Sequence, residues 1–405
     1  MKNRTAHVVI VGGGFAGVKV ARELSDEGGV HVTLISDQDD FRYTPALYRT
    51  ATGHTKRESS IPIDSLFVSQ ENVSFKKAVV TSIDRQKKTL TLQGGEQINY
   101  DYCVLALGVV TSYFGVPGLE KHSFSIKSAE KVIELKRHLH QQLTDNQAMD
   151  KNYIIVGAGA TGVELACALG QYLGRIKKAH QIHSGKVTIE LIEAAPRVLP
   201  AMSERASKLA LQRLHKLRVK VMLASHVKAE SDKSLNVDGR SIPTHTVIWT
   251  AGVTNNPFFK NNENQFSLNE KGKVAVDEFL RVDEHCFVIG DNAAVPRSGL
   301  ALSAIRNARY TADAIMRELE DKKLKPAKYP DSAMAVPLGS NQAVFQWKKL
   351  IFAGVLGGLL RISADLIGYS DVLGWKQAIS IWLRRDDYEE VCPICRAPHV
   401  AESIT

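Results

Sequence analysis

Long apolar runs are missing from this chain. The longest without a charged residue, Leu350 to Leu360, falls far short of the ~20 residues a membrane-spanning helix needs. No secretory pattern opens the sequence, because the first apolar run is too short for a signal core. Cysteine is scarce: five in 405 residues, odd in number and without a regular framework. That excludes a disulfide-stapled scaffold and points to a reducing compartment. The net charge is +9, but no basic run interleaved with aromatics accompanies it, so no nucleic-acid partner is expected. What remains, 44% hydrophobic and 23% charged, is globular composition. The length suggests two or three domains.

Two glycine-rich turns stand out, each following a short apolar run. His7 to Val11 leads into Gly12-Gly13-Gly14-Phe15-Ala16-Gly17, and Tyr153 to Val156 leads into Gly157-Ala158-Gly159-Ala160-Thr161-Gly162. Both spell G-x-G-x-x-G between a strand and a helix. The first glycine permits the tight turn, the second lets backbone approach a pyrophosphate, and the third allows close helix–strand packing. Unpaired N–H groups and the positive end of the helix then face the phosphates. One such turn can merely connect a strand to a helix. Two in phase predict two dinucleotides, and with them an α/β fold of two Rossmann-like dinucleotide-binding domains followed by a C-terminal region.

A second strand closes each unit. Val187 to Glu193 ends in a carboxylate suited to both ribose hydroxyls, which favours NADH over NADPH; Arg197, four residues on, keeps NADPH open. In the first unit the strand ends Ile35-Ser36-Asp37, so the acid arrives one residue late or Ser36 substitutes for it. Alternation between Val73 and Ile98 predicts a small antiparallel layer. Tyr102 to Gly108 and Val247 to Gly252 are apolar strands ending in glycine, so the halves are crude repeats. Gly115 to Leu119 marks a boundary. Gly290-Asp291 ends a further strand, where the carboxylate can hold a hydroxyl chain or cap the next helix.

The chain resembles the two-dinucleotide-binding-domain flavoproteins, and within them the type II NADH dehydrogenases. The matching stretches are Val8 to Gly17, Phe41 to Tyr48, Thr111 to Gly115, Val156 to Ala166, Leu191 to Pro200 and Val288 to Ala293, spread over roughly residues 6 to 315. The resemblance implies FAD bound by Gly12, Gly13, Gly14, Phe15, Ala16, Gly17, Ser36, Asp37, Thr44, Pro45, Val80, Ala106, Gly108, Gly290 and Asp291. It implies NADH bound by Gly157, Gly159, Thr161, Gly162, Glu193, Ala251 and Gly252. Glu164 matches a family glutamate near the nicotinamide–flavin contact; as a first-turn acid it also complements the helix dipole. The implied division is 1–118 with 267–330 for FAD, 119–266 for NADH, and 331–405 as a membrane or dimer region. The implied reaction is hydride transfer from NADH to FAD, then two-electron reduction of a membrane quinone without proton pumping, at the cytoplasmic face of the cell membrane.

Cysteine again excludes relatives. No closely spaced pair lies in either half, so neither disulfide reduction nor sulfide oxidation is expected, and electrons must leave for an external acceptor. The family's quinone-facing helix begins A-Q-x-A-x-Q; here Ala301 to Arg306 replaces both glutamines, leaving Leu302, Ala304 and Arg306 as quinone-site candidates. Beyond Pro330 the composition changes. Six basic residues face two acids between Asn341 and Arg385, and three of the four tryptophans fall there. Val372, Trp375, Ile379 and Trp382 form one helical stripe; Phe352, Val355, Leu359, Ile362 and Leu366 form another. Such faces suit anionic lipid, a second subunit in a homodimer, or packing on the rest of the chain. Met334 to Gly339 resembles the apoptosis-inducing-factor-like flavoproteins, so a signalling flavoprotein and a soluble ferredoxin- or rubredoxin-type reductase stay as alternatives. Cys392, Cys395 and His399 are three ligands without a fourth: an intersubunit metal site, a redox pair, or neither. No resident metal is expected.

Overall fold

The computed structural model describes residues 5–144, 151–183, 185–385 and 387–388. Two mainly parallel sheets dominate, the first with one antiparallel edge strand, Arg281–Asp283. The first has the order Arg281–Asp283, Cys286–Val288, Tyr102–Leu105, Ala6–Val11, Val30–Ser36, Val73–Lys77. Its central strand pairs in parallel on both sides, Val8 opposite Val32 and Val8 opposite Tyr102. That position explains the unbroken apolar run His7 to Val11: a strand covered on both faces has no polar side to alternate with. Val8 and Ile10 join the cluster beneath helix α1 (Phe15–Leu24). Val9 and Val11 face the other way, onto an antiparallel meander of Val80–Asp84, Thr89–Leu92 and Gln97–Asn99.

The second sheet repeats the plan. Val219–Met222, Thr188–Ile192, Asn152–Val156 and Thr246–Trp249 lie in that order, all parallel. A meander of Val227–Glu230, Ser234–Val237 and Arg240–Pro243 precedes the last strand, as in the first half. A short ladder, Val109–Thr111 against Val253–Asn255, joins the halves. One expectation is corrected: Val73–Lys77 is not part of the antiparallel layer but pairs in parallel with Val30–Ser36. Its partner lies some forty residues away, so local alternation could not reveal the pairing.

Helix α2 (Leu47–Ala51) is short and sits between the halves, its Leu47 and Ala51 buried in the second core. Helix α3 (Ala160–Ala179) follows the second glycine turn, and α4 (Ala301–Leu319) packs on α1. The C-terminal region is a three-stranded antiparallel sheet, Met334–Pro337, Ala343–Trp347 and Leu350–Gly354, followed by α5 (Val355–Leu373) and α6 (Trp375–Leu383). Phe352 therefore belongs to a strand, not to a helical stripe. Gly357 and Gly358, poor helix formers, are where α5 lies down on this sheet. A Cβ at either would fall 2.2 Å from a backbone oxygen, Ala343 for one and Asn341 for the other. Val336, Leu338 and Val344 enter the second core, while Tyr369, Val372, Leu373 and Ala378 enter the first. The region is thus built into both halves.

Candidate functional site

The two glycine turns have the same geometry. Gly12 donates its N–H to Ile35 O at 2.7 Å, and Gly157 donates to Ile192 O at 2.7 Å. Both have positive φ, 120° and 102°. A Cβ on Gly17 would lie 1.9 Å from Gly12 O, and one on Gly162 would lie 1.8 Å from Gly157 O. No side chain larger than hydrogen fits there, so helix and strand meet through these glycines. The middle glycines differ: at Gly14 and Gly159 a Cβ would meet nothing within 4 Å. Both are exposed, and each begins its helix with no side-chain cap and no acid in the first turn. Each turn is therefore an open cradle at its helix start, where the first N–H groups have no partner within the helix, the arrangement that takes a phosphate.

Around the first cradle the chain places several candidates together. Ser36 is buried at its strand end, its hydroxyl accepting from Gln38 N at 3.1 Å, while Asp37 is exposed. Thr44 and Pro45 start a short turn after Tyr43. Gly290 packs between Ala16 and Ala304, whose Cβ atoms would lie 3.4 and 3.8 Å from an added Cβ. Ala106 is buried beside Gly12, and Val80 lies in the core beneath the meander. Asp291 accepts from Gly299 N at 2.9 Å. Asn292 is the residue that sequence inspection missed. Fully buried, its amide accepts from Gly108 N at 2.8 Å and donates to Gly108 O and Asn255 Oδ1, both at 2.6 Å. It ties the Gly290-Asp291 turn to the Ala106–Gly108 strand end and to the link between the halves. An open glycine turn, a carboxylate and a pinned backbone edge fit the diphosphate, ribityl chain and ring of a flavin dinucleotide.

In the second cradle the Glu193 carboxylate accepts from Ala158 N at 2.5 Å and Ala195 N at 2.8 Å, so it stands against the turn itself. Arg197 is already occupied. Its guanidinium donates to Met202 O at 2.7 Å, Pro200 O at 2.6 Å and Leu199 O at 3.5 Å. Thr161 is exposed at the helix start. Ala251 and Gly252 follow the neighbouring strand, and a Cβ on Gly157 would lie 2.6 Å from Ala251 Cα.

Glu164, in the second turn of α3, is buried. Burial pushes its carboxyl up to about 8, with the Arg361 guanidinium of α5 opposing the shift. Tyr48 of α2 is close enough to feel its charge. Arg361 is itself buried and ion-paired to Asp365, which accepts from the Tyr43 hydroxyl at 3.3 Å. Tyr369 stacks on Tyr43 with ring centroids 3.9 Å apart. The C-terminal helix therefore brings a cation near the buried Glu164 carboxylate. Leu302 is half-buried at the start of α4. Arg306 does not project free: it donates to Pro330 O at 3.0 Å and Ser332 Oγ at 2.9 Å.

With two matched cradles in place, the family model for pyridine nucleotide-disulphide oxidoreductases matches residues 6–311. The chain belongs to that family. It is 30% identical over 389 residues to the type II NADH:quinone oxidoreductase NdhA of Mycobacterium tuberculosis, covering 89% of this chain and 83% of that protein. To the type II NADH:quinone oxidoreductase of Staphylococcus aureus it is 29% identical over 362 residues, 83% of this chain and 88% of the relative. Type II NADH:quinone oxidoreductases are thus its group within the family. The fold matches NDH2 of Plasmodium falciparum, solved with NADH, at a TM-score of 0.82 with 16% identity, covering 94% and 98% of the two chains. It also matches the sulfide:quinone oxidoreductase of Aquifex aeolicus at 0.75 with 19% identity, covering 94% and 92%.

The disulphide chemistry in the family description has no counterpart among the described residues. Cys103 and Cys286, distant in sequence, pair across adjacent strands, fully buried on the face away from α1. Burial pushes the Cys103 thiol well up, away from the thiolate that exchange needs. Among the described residues no group of three or more metal-ligating side chains comes together, and no helix is long and apolar enough to cross a membrane. Cys392, Cys395 and His399 lie outside the described residues.

Proposed function

We infer that this chain is an NADH:quinone oxidoreductase, with FAD in the first cradle and NADH in the second, reducing a membrane quinone without pumping protons. The observation that carries this is the duplicated cradle, open at Gly14 and Gly159 and closed at Gly17 and Gly162, in a chain 30% identical to a type II NADH:quinone oxidoreductase. On this assignment residues 1–118 with 267–330 hold FAD, 119–266 hold NADH, and 331–405 are the membrane or dimer region.

When bound, FAD supplies a carrier that accepts hydride from NADH and passes two electrons on to the quinone. The residues supply position, charge and a proton. Turn N–H groups hold each pyrophosphate, and Glu193 takes the adenosine ribose hydroxyls. Asp291 would take a hydroxyl of the FAD chain, and Asn292 would hold the Gly108 backbone edge of that site in place. The carboxyl of Glu164, which by resemblance lies near the nicotinamide–flavin contact, holds a proton up to about pH 8. Leu302, Ala304 and Arg306 border the quinone path from α4.

Membrane contact is assigned to α5 and α6. Val355, Leu356, Leu359 and Ile367 of α5 and Trp375, Ile379 and Leu383 of α6 are exposed, with Lys376 and Arg384 beside them. Val372 and Trp382, read as one stripe with Trp375 and Ile379, part from them and turn inward: Val372 is in the core, and the Trp382 indole donates to Ile362 O at 3.0 Å. An apolar helix face edged with lysine and arginine suits an anionic lipid surface, where a peripheral enzyme meets a membrane quinone. The test is anaerobic: flavin absorbance should bleach with NADH and return on addition of a quinone analogue. Bleaching that ferricyanide reverses but no quinone does would overturn the acceptor.

A further inference from the structure

Phe114 is costly by two measures. Its backbone is left-handed, φ 51°, a region bulky residues avoid. Its ring is 66% exposed. Yet the ring is held in place. A Cβ on Gly252 would lie 2.5 Å from Phe114 Cε2, so the ring edge rests on that glycine. The Trp249 indole meets it edge-on, centroids 6.3 Å apart at 67°. The loop is fastened to the same strand end: Trp249 Nε1 donates to Ser112 O at 2.8 Å, Ser112 N to Gly252 O at 3.1 Å, and Phe114 N to Ser112 Oγ at 3.3 Å.

Strand order shows what this ring stands beside. In the second sheet Asn152–Val156, which leads into the glycine turn, lies between Thr188–Ile192 and Thr246–Trp249. Glu193 follows the first neighbour, and Ala251-Gly252 follows the second. A dinucleotide with its pyrophosphate on the turn and its adenosine ribose on Glu193 sends its other half to the opposite side, over Ala251-Gly252. The Phe114 ring rises at that edge with its outer surface uncovered.

We propose that Phe114 is the aromatic wall of the nicotinamide site: its exposed ring packs against the nicotinamide half of NADH, orients it toward the flavin and retards release of NAD⁺. This rests on the assignment of NADH to the second cradle. A strained backbone holding an exposed ring at a binding site is then explained, because strain persists where function over-determines it.

The test compares the full-length holoenzyme with Phe114→Ala, Phe114→Leu and Phe114→Trp. Measured quantities are KM for NADH, product inhibition by NAD⁺, KM for a quinone analogue and melting temperature. Loss of an aromatic partner is expected to raise KM for NADH and the NAD⁺ inhibition constant together by about tenfold in Phe114→Ala. Phe114→Leu should recover part of that and Phe114→Trp most of it, with melting temperature and quinone KM unchanged. Wild-type NADH and NAD⁺ constants in Phe114→Ala would overturn the proposal. So would a fall in melting temperature with both substrates equally affected, which would mark a packing role. A wild-type flavin that NADH does not reduce would instead remove the NADH assignment itself, and this inference with it.

Discussion

Replacing Gly159 with alanine separates a phosphate seat from a packing contact. Gly159 has φ −69° and ψ −173°, a conformation alanine adopts freely, and its added methyl meets no atom within 4 Å. The fold should tolerate it, at a cost below about 1 kcal/mol for alanine at a helix start. Bound NADH should not tolerate it, because the methyl occupies the space where a pyrophosphate oxygen approaches backbone N–H. Hydrogen bonds to a charged group contribute about 1.5–3 kcal/mol each. Lengthening one or two of them should weaken NADH binding roughly 10- to 100-fold. Gly162→Ala is the contrast. Its methyl would lie 1.8 Å from Gly157 O, so helix and strand must part, and the expected result is insoluble or unfolded protein. Titration of oxidised holoenzyme with NAD⁺, followed by flavin fluorescence and thermal melting, reads both effects. A Gly159→Ala protein that melts normally and binds NAD⁺ like wild type would refute the pyrophosphate placement.

Three further outcomes are expected. Glu193→Gln should raise NADPH use relative to NADH by about tenfold or more, since it removes a like charge worth ~1–2 kcal/mol beside a 2′-phosphate; Arg197 cannot already serve NADPH while its guanidinium holds three carbonyls. The kcat/KM ratio for the two nucleotides checks this, and an unchanged ratio counts against Glu193 as the ribose ligand. Burial raises the Glu164 pKa from 4.5 to about 8, so the native chain keeps a proton that the unfolded chain has lost across that window. Stability therefore declines as pH rises from about 4.5 to 8. Glu164→Gln should flatten that decline in urea melts at pH 5, 7 and 9, and an identical slope would show the carboxyl to be solvated. Trp375→Glu with Ile379→Glu should reduce binding to anionic vesicles at least tenfold by flotation while NADH–ferricyanide turnover is retained. Equal flotation would exclude α6 as the membrane face. Truncation after Pro330 would be a poorer test, because it removes Val336, Val344, Tyr369 and Val372 from both cores.

Much of the candidate site was legible along the chain because its demands are local. A G-x-G-x-x-G turn is set by contacts within six residues: Gly17 meets Gly12 and Gly162 meets Gly157, and no distant packing can substitute for the missing Cβ. Glu193 stands 35 residues from the Ala158 N–H that its carboxylate accepts, yet its place is readable because a βαβ unit puts the end of its second strand beside its first turn. Features made by distant partners were not legible. Val73–Lys77 reads as part of a meander until its parallel neighbour is present. Phe352 has the spacing of a helical stripe but forms a strand because Phe345 pairs with it. Asn292, one residue past a motif, gains meaning only when Gly108 and Asn255 arrive at its amide.

By itself the sequence determined two glycine-turn cradles, the acid Glu193 at the end of its strand, and the absence of closely spaced cysteines in either half, since each depends on residue identity and the local βαβ pattern. Tertiary structure decided the rest. It brought Arg361 to Glu164 and closed Arg197 and Arg306 onto backbone carbonyls. It set the free thiols of Cys103 and Cys286 side by side out of reach of solvent, and it turned Trp375 outward while drawing Val372 inward. The physical reason is the same in each case. Charge, exposure and proton affinity depend on which groups meet after folding, and those groups lie tens to hundreds of residues apart in the chain.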